Sequence, residues 1–157
     1  MKIIIGTNTF GVYHRQNVAI DSLVHLKNTF NILLFDVQFE GDVKHDDRLE
    51  PLNKLSRSSL DHTTGNKQLP FVNDILNVLC DQDCDYFIFC NSDVIVNGNL
   101  IKHIKEHKPH AMACSRLDIN HIDSFDHVLK KQIKPVRYEI AGFDCFVFSK
   151  AWYLEKK

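Results

Sequence analysis

Asn91, Ser92 and Asp93 place an amide carbonyl, a hydroxyl and a carboxylate at consecutive positions. Oxygens of these kinds hold hard divalent cations, and a cation so held can bind a diphosphate. The triplet follows the apolar run Tyr86–Cys90 and precedes a second apolar run, Val94–Val96. The first run suits a strand buried on both faces, as in a parallel sheet. In open α/β sheets ligands bind beyond the carboxyl ends of the strands. A bland reading stands beside this one, because Asn and Asp also favour ordinary turns.

Other polar residues fall at comparable places. Thr7, Asn8 and Thr9 close a first strand over residues 2–5, and Asp36 closes a second over 32–35. If these strands are neighbours, their ends converge on one cleft. Lys67 lies near the start of a helix, where the helix dipole also favours an anion, so it is a phosphate candidate or a solvated surface lysine. His121, beside Asp123, is a further metal-ligand candidate, although a lone histidine is more often an ordinary surface or core residue. No glycine cradle for phosphate is present: Gly6 and Gly11 have P-loop spacing, but Val12 and Tyr13 follow instead of Lys-Ser or Lys-Thr.

Helices and strands must position these groups. Residues 16–29 read as a helix with Ile20, Leu23 and Val24 on its core face. Residues 67–80 carry the strongest helical signal, with Val72, Ile75, Leu76 and Leu79 at i, i+3, i+4 and i+7 and Pro70 in the first turn. A shorter helix is expected over 99–107, strands over 111–115 and 146–148, and a final helix from Lys150. Residues 39–65 are polar and read as a long functional loop. Residues 117–138 carry no clear pattern. The order β-α-β-loop-α-β-α-β predicts an α/β fold with a mostly parallel sheet flanked by helices, in one domain spanning residues 1–157.

That length supports a hydrophobic core without disulfide staples. A formal net charge of −1 supplies no global field toward nucleic acid. The five cysteines are odd in number and lack a framework spacing, which predicts reduced thiols and a reducing cytoplasm, with peripheral contact at a membrane left open. No apolar stretch is long enough to span a bilayer.

Taken in order, the first strand with Thr7–Thr9, Asp36, Gly65-Asn66-Lys67 leading into a helix, the strand ending in Asn91-Ser92-Asp93, and Ala141-Gly142-Phe143-Asp144 cover most of the chain. Together they resemble a nucleotide-sugar glycosyltransferase of the GT-A fold, in the broad group that contains family 2. The resemblance implies that Asp93 holds the Mn2+ or Mg2+ that bridges a nucleoside diphosphate, with Asn91 as second ligand or ribose contact. It implies nucleotide contacts by Thr7, Asn8, Asp36, Lys67 and Ser92, with Asp36 on the base. Asp144 matches the family's acidic position and is the candidate general base, with Glu139 and Asp123 as reserves. The family usually has Asp-x-Asp where this chain has Asn-Ser-Asp, so one anionic ligand is missing.

The expected activity is transfer of a sugar from a nucleoside-diphosphate sugar to an unknown glycan, lipid or protein acceptor. A sugar nucleotidyltransferase is an alternative, but it calls for a glycine-rich basic loop after the first strand, where this chain has only Arg15. A non-catalytic binding or partner module is the other alternative, favoured by Asn91 and by the short stretch after Asp144. That stretch suggests a minimal or truncated acceptor side, completed by a second copy or a partner subunit at the C-terminal end, where Trp152, Tyr153 and Leu154 lie.

Overall fold

Alternation along the first strand sets the architecture. In a computed structural model describing residues 1–10, 14–42, 46–62 and 68–157, β1 (Ile3–Thr7) is buried throughout. Ile3 and Ile5 face one layer and Ile4 the other, as the two-residue period of a strand requires. On the first face lie α1 (His14–Phe30), through Ile20, Leu23 and Leu26, and α3 (Gly98–His107), through Ile101 and Ile104. On the second face lie α2 (Val72–Cys80), through Ile75, Leu76 and Leu79, and α5 (Lys150–Lys156), through Tyr153. Gly6 lets α2 approach: a Cβ there would stand 2.4 Å from Leu79 Cδ2.

The sheet has six strands in the order β3-β2-β1-β4-β6-β5. β2 (Leu33–Phe39), β1 and β4 (Tyr86–Cys90) run parallel, and β3 (Glu50–Leu55) joins β2 in the same sense. β6 (Pro135–Ser149) runs antiparallel to both β4 and β5 (Ala111–Ile119). The fold is therefore α/β, but its sheet is mixed and not mostly parallel as expected. The reason lies in the connection: residues 120–134 carry only the four-residue α4 (Asp126–Leu129), so β5 returns as the partner of a long ribbon without a full covering helix.

Several boundaries also differ. β1 runs through Thr7, and β2 continues past Asp36 to Phe39. The expected loop over 39–65 contains edge strand β3 and a short 3-10 turn, Ser59–Asp61, capped by Ser58. The unassigned 117–138 region holds the end of β5, α4 and the start of β6. Trp152 stacks on Phe148 at 6.1 Å between ring centroids, and the Tyr153 hydroxyl donates to Asn77 Oδ1 at 3.1 Å. Both aromatics thus pack on the sheet. No helix among the described residues is long and apolar enough to cross a membrane.

Candidate functional site

The strand order reverses beside β1. From β1 the chain passes through α1 to β2 and on to β3 on one side, then returns through α2 to β4 on the other. A crevice is expected outside the carboxyl ends of β1 and β4 at such a switch point. Two clefts open there, of about 330 and 360 Å³, each within the range of small-ligand sites. Phe10, Ser92 and Asp93 border both. Asn8 and Asn91 complete the polar wall of the first, and His14, Arg15, Gln16 and His121 that of the second.

At the β1 end, the chain is pinned from β2. Asp36 is fully buried. Its Oδ1 accepts from the Thr9 amide at 2.9 Å and from Gln38 Nε2 at 2.7 Å, and its Oδ2 accepts from the Thr9 hydroxyl. Gln38 also donates to the Thr9 carbonyl at 2.8 Å, and Asn8 Nδ2 donates to the Val37 carbonyl at 2.7 Å. Asp36 borders neither cleft. Asp36 sits inside β2, not at its end, and its carboxylate fixes the chain at Thr9 from within the fold. Thr7 is fully buried, and its hydroxyl has no partner among the described residues.

At the β4 end, the reversed direction of β6 brings Asp144 to the rim. Cys145 pairs with Cys90, so the residue before it extends past the end of β4. The Asn91 amide N–H donates to the Asp144 carbonyl at 2.9 Å, and Asn91 Nδ2 donates to Asp144 Oδ1 at 2.7 Å. Arg116 donates to Asp144 Oδ2 at 2.9 Å. The hydrogen bond and charge of Asp144 raise the Arg116 guanidinium above its ordinary value. Both Asp144 oxygens therefore carry a donor. Of the reserve bases, Glu139 is paired with Arg137, and Asp123 lies 3.3 Å from His121.

The triplet itself closes a turn, with the Val94 amide donating to the Asn91 carbonyl at 3.2 Å. Beyond the turn, three side chains carry oxygens. Ser92 is only 3% exposed and its hydroxyl is unpartnered among the described residues. Asn91 Nδ2 is committed to Asp144, which orients the side chain with its Oδ1 available. Asp93 is exposed, has no ion pair among the described residues and borders both clefts. One carboxylate and one amide carbonyl fit a hard cation, with fewer anionic ligands than a pair of aspartates would give.

The clefts also gather residues whose separation in sequence hid them. Arg15 and Gln16, in the first turn of α1, face the second cleft, where a cation and helix amides both favour an anion. His14 and His121 meet there, with Asp123 close to both, although 107 positions separate the two histidines (121 − 14). Nothing local in the sequence signals this meeting. Lys67, Gly65 and Asn66 lie outside the described residues. Compared with known proteins, the chain matches no family model and no curated protein.

Proposed function

We propose that the protein is a GT-A-like glycosyltransferase, which moves a sugar from a nucleoside-diphosphate sugar to an acceptor with the help of Mn2+ or Mg2+. The observation that carries this reading is Asp93: a carboxylate with no ion pair among the described residues, at the switch point and on the border of two clefts. Asp93 and Asn91 Oδ1 hold the cation. When bound, it supplies Lewis-acid stabilisation of the leaving diphosphate. Arg15 and the α1 amides draw the diphosphate from the second cleft, and Asn8 and Ser92 bound the nucleotide with Phe10 between the clefts. Asp144 is the base: its Oδ2 exchanges Arg116 for the acceptor hydroxyl and takes that proton. Phe143 and Tyr138, exposed on the ribbon near Asp144, offer the acceptor or a partner subunit an apolar surface.

A second reading, a nucleotide-binding module without catalysis, is favoured by one observation. Both Asp144 oxygens are held, by Asn91 and Arg116. Thermal unfolding with UDP or GDP, with Mn2+ or EDTA, tests the shared part of the two readings. A ligand at a hundred times its Kd stabilises by about 2.7 kcal/mol, or roughly 5–10 °C for a chain of this size. The gain must need the metal and disappear in Asp93→Ala. An equal gain in EDTA, or in Asp93→Ala, refutes metal-assisted binding. Donor hydrolysis then separates the readings: turnover abolished by Asp144→Asn supports the transferase, and bound donor that no variant or parent hydrolyses supports the module.

A further inference from the structure

Four residues after His14, on the same stripe of α1, Val18 is buried against Ile122 and Phe125. Ile122 is 8% exposed and works as a plug. Its neighbours on either side, His121 and Asp123, stay in solvent. The plug therefore holds their side chains beside His14, one turn up from Val18. One ligand atom from each of His14, His121 and Asp123 lies within 4.8 Å of the others. His121 Nε2 and Asp123 Oδ1 are 3.3 Å apart. That is the edge of a tetrahedron with metal–ligand bonds of about 2.0–2.1 Å, whose edges are roughly 3.3 Å.

His14 also has a backbone partner of the kind that supports a ligand. Its Nε2 lies 3.1 Å from the Ile122 carbonyl. With the hydrogen on Nε2, that nitrogen donates to the carbonyl and Nδ1 keeps its lone pair. A backbone carbonyl on the second ring nitrogen is the usual support of a metal-bound histidine. Two imidazoles and a carboxylate suit a borderline ion such as Zn2+ better than Mg2+, and three protein ligands leave a position open. His14 and His121 both border the second cleft, so the open position faces it.

We infer that His14, His121 and Asp123 form a binding site for a zinc-class transition-metal ion, held together by the Ile122–Val18 contact. The site goes beyond the donor-binding reading, since it requires neither nucleotide nor Asp93. The test is titration of EDTA-stripped protein with Co2+, followed by visible absorption, with Zn2+ as competitor. One equivalent of Co2+ should give ligand-field bands that Zn2+ bleaches, without the near-ultraviolet charge transfer of a thiolate ligand. His14→Ala and His121→Ala should each weaken binding about tenfold or more, at an unchanged unfolding midpoint in EDTA, because both positions are exposed. Asp93→Ala should bind Co2+ like the parent. Absence of stoichiometric bands, a thiolate signature, or parental affinity in both histidine variants overturns the site. Loss of Co2+ in Asp93→Ala overturns its independence from the triplet. Failure of nucleotide binding alone leaves all these results unchanged, so the two readings fail separately.

Discussion

Replacing Asp36 separates a scaffold role from ligand recognition. In Asp36→Ala three donors lose their acceptor together: the Thr9 amide, the Thr9 hydroxyl and one Gln38 N–H. All belong to buried residues, where water cannot replace the lost oxygen without a cavity opening. A hydrogen bond to a charged group contributes about 1.5–3 kcal/mol, and a stranded buried donor costs about 1–3. The three share one side chain, so their costs do not add in full; about 3–5 kcal/mol is the expected loss. Asp36→Asn keeps one carbonyl for the Thr9 and Gln38 N–H groups, and the Thr9 hydroxyl can turn to accept from the new amide. Its cost should be clearly smaller. Urea unfolding measures both, with the slope checked to confirm that the unfolded ensemble is unchanged. If Asp36→Ala stays within about 1 kcal/mol of the parent while nucleotide affinity collapses, Asp36 is a recognition residue and its placement above is wrong.

Gly6→Ala should cost about 1–3 kcal/mol by overpacking, since the new methyl would meet both Leu79 Cδ atoms at 2.4 and 2.7 Å inside a filled core. The double variant with Leu79→Ala should cost less than the sum of the singles in urea unfolding, and additivity refutes the close approach. Stability should also fall in alkali. Burial pushes the Cys84 thiol up from 9.0 to about 11 and raises Cys80 as well. A raised value means the folded state binds the proton more tightly. That stability is therefore complete below the unfolded thiol's value and lost as pH climbs through the folded one. For Cys84 the window is pH 9 to 11, with about 1–2 kcal/mol at stake once solvent screening is allowed for. Melting curves across that window should flatten in Cys84→Ser, and an undiminished fall would show that other groups drive it.

What the sequence discloses depends on whether the cause is local. β4, α2 and α5 are legible because an apolar run or a four-residue stripe declares itself within a few positions. β3 is not. Glu50, Pro51, Asn53 and Lys54 are exposed, and an edge strand joined through its backbone reads as loop; Pro51 is tolerated only because it is at an edge. The mixed sheet was hidden for a similar reason. The ribbon half of β6 is solvent-facing at Val136 and Tyr138, so it carries no buried run to announce a strand. Asn91, Ser92 and Asp93 are legible at the end of β4, because a polar break after a buried strand is a local signal, whereas Thr7 is the buried last residue of β1.

Which of those groups is available for chemistry is a different matter, since it depends on partners far along the chain. The sequence offers three carboxylates for function, Asp36, Asp93 and Asp144. Asp36 is enclosed by Thr9 and Gln38, and Asp144 is held by Asn91 and Arg116. Apart from Gln38, two positions from Asp36 on β2, these donors come from segments that no short window of the sequence contains. Asp93 differs because of geometry alone. It lies three residues past the end of β4, is exposed, and has no ion pair among the described residues. The same topology carries the first turn of α1 and the Ile122 plug to the other side of the cleft. An acidic residue so placed shares the second cleft with Arg15 and two imidazoles, so side chains that can carry either sign of charge line one cleft.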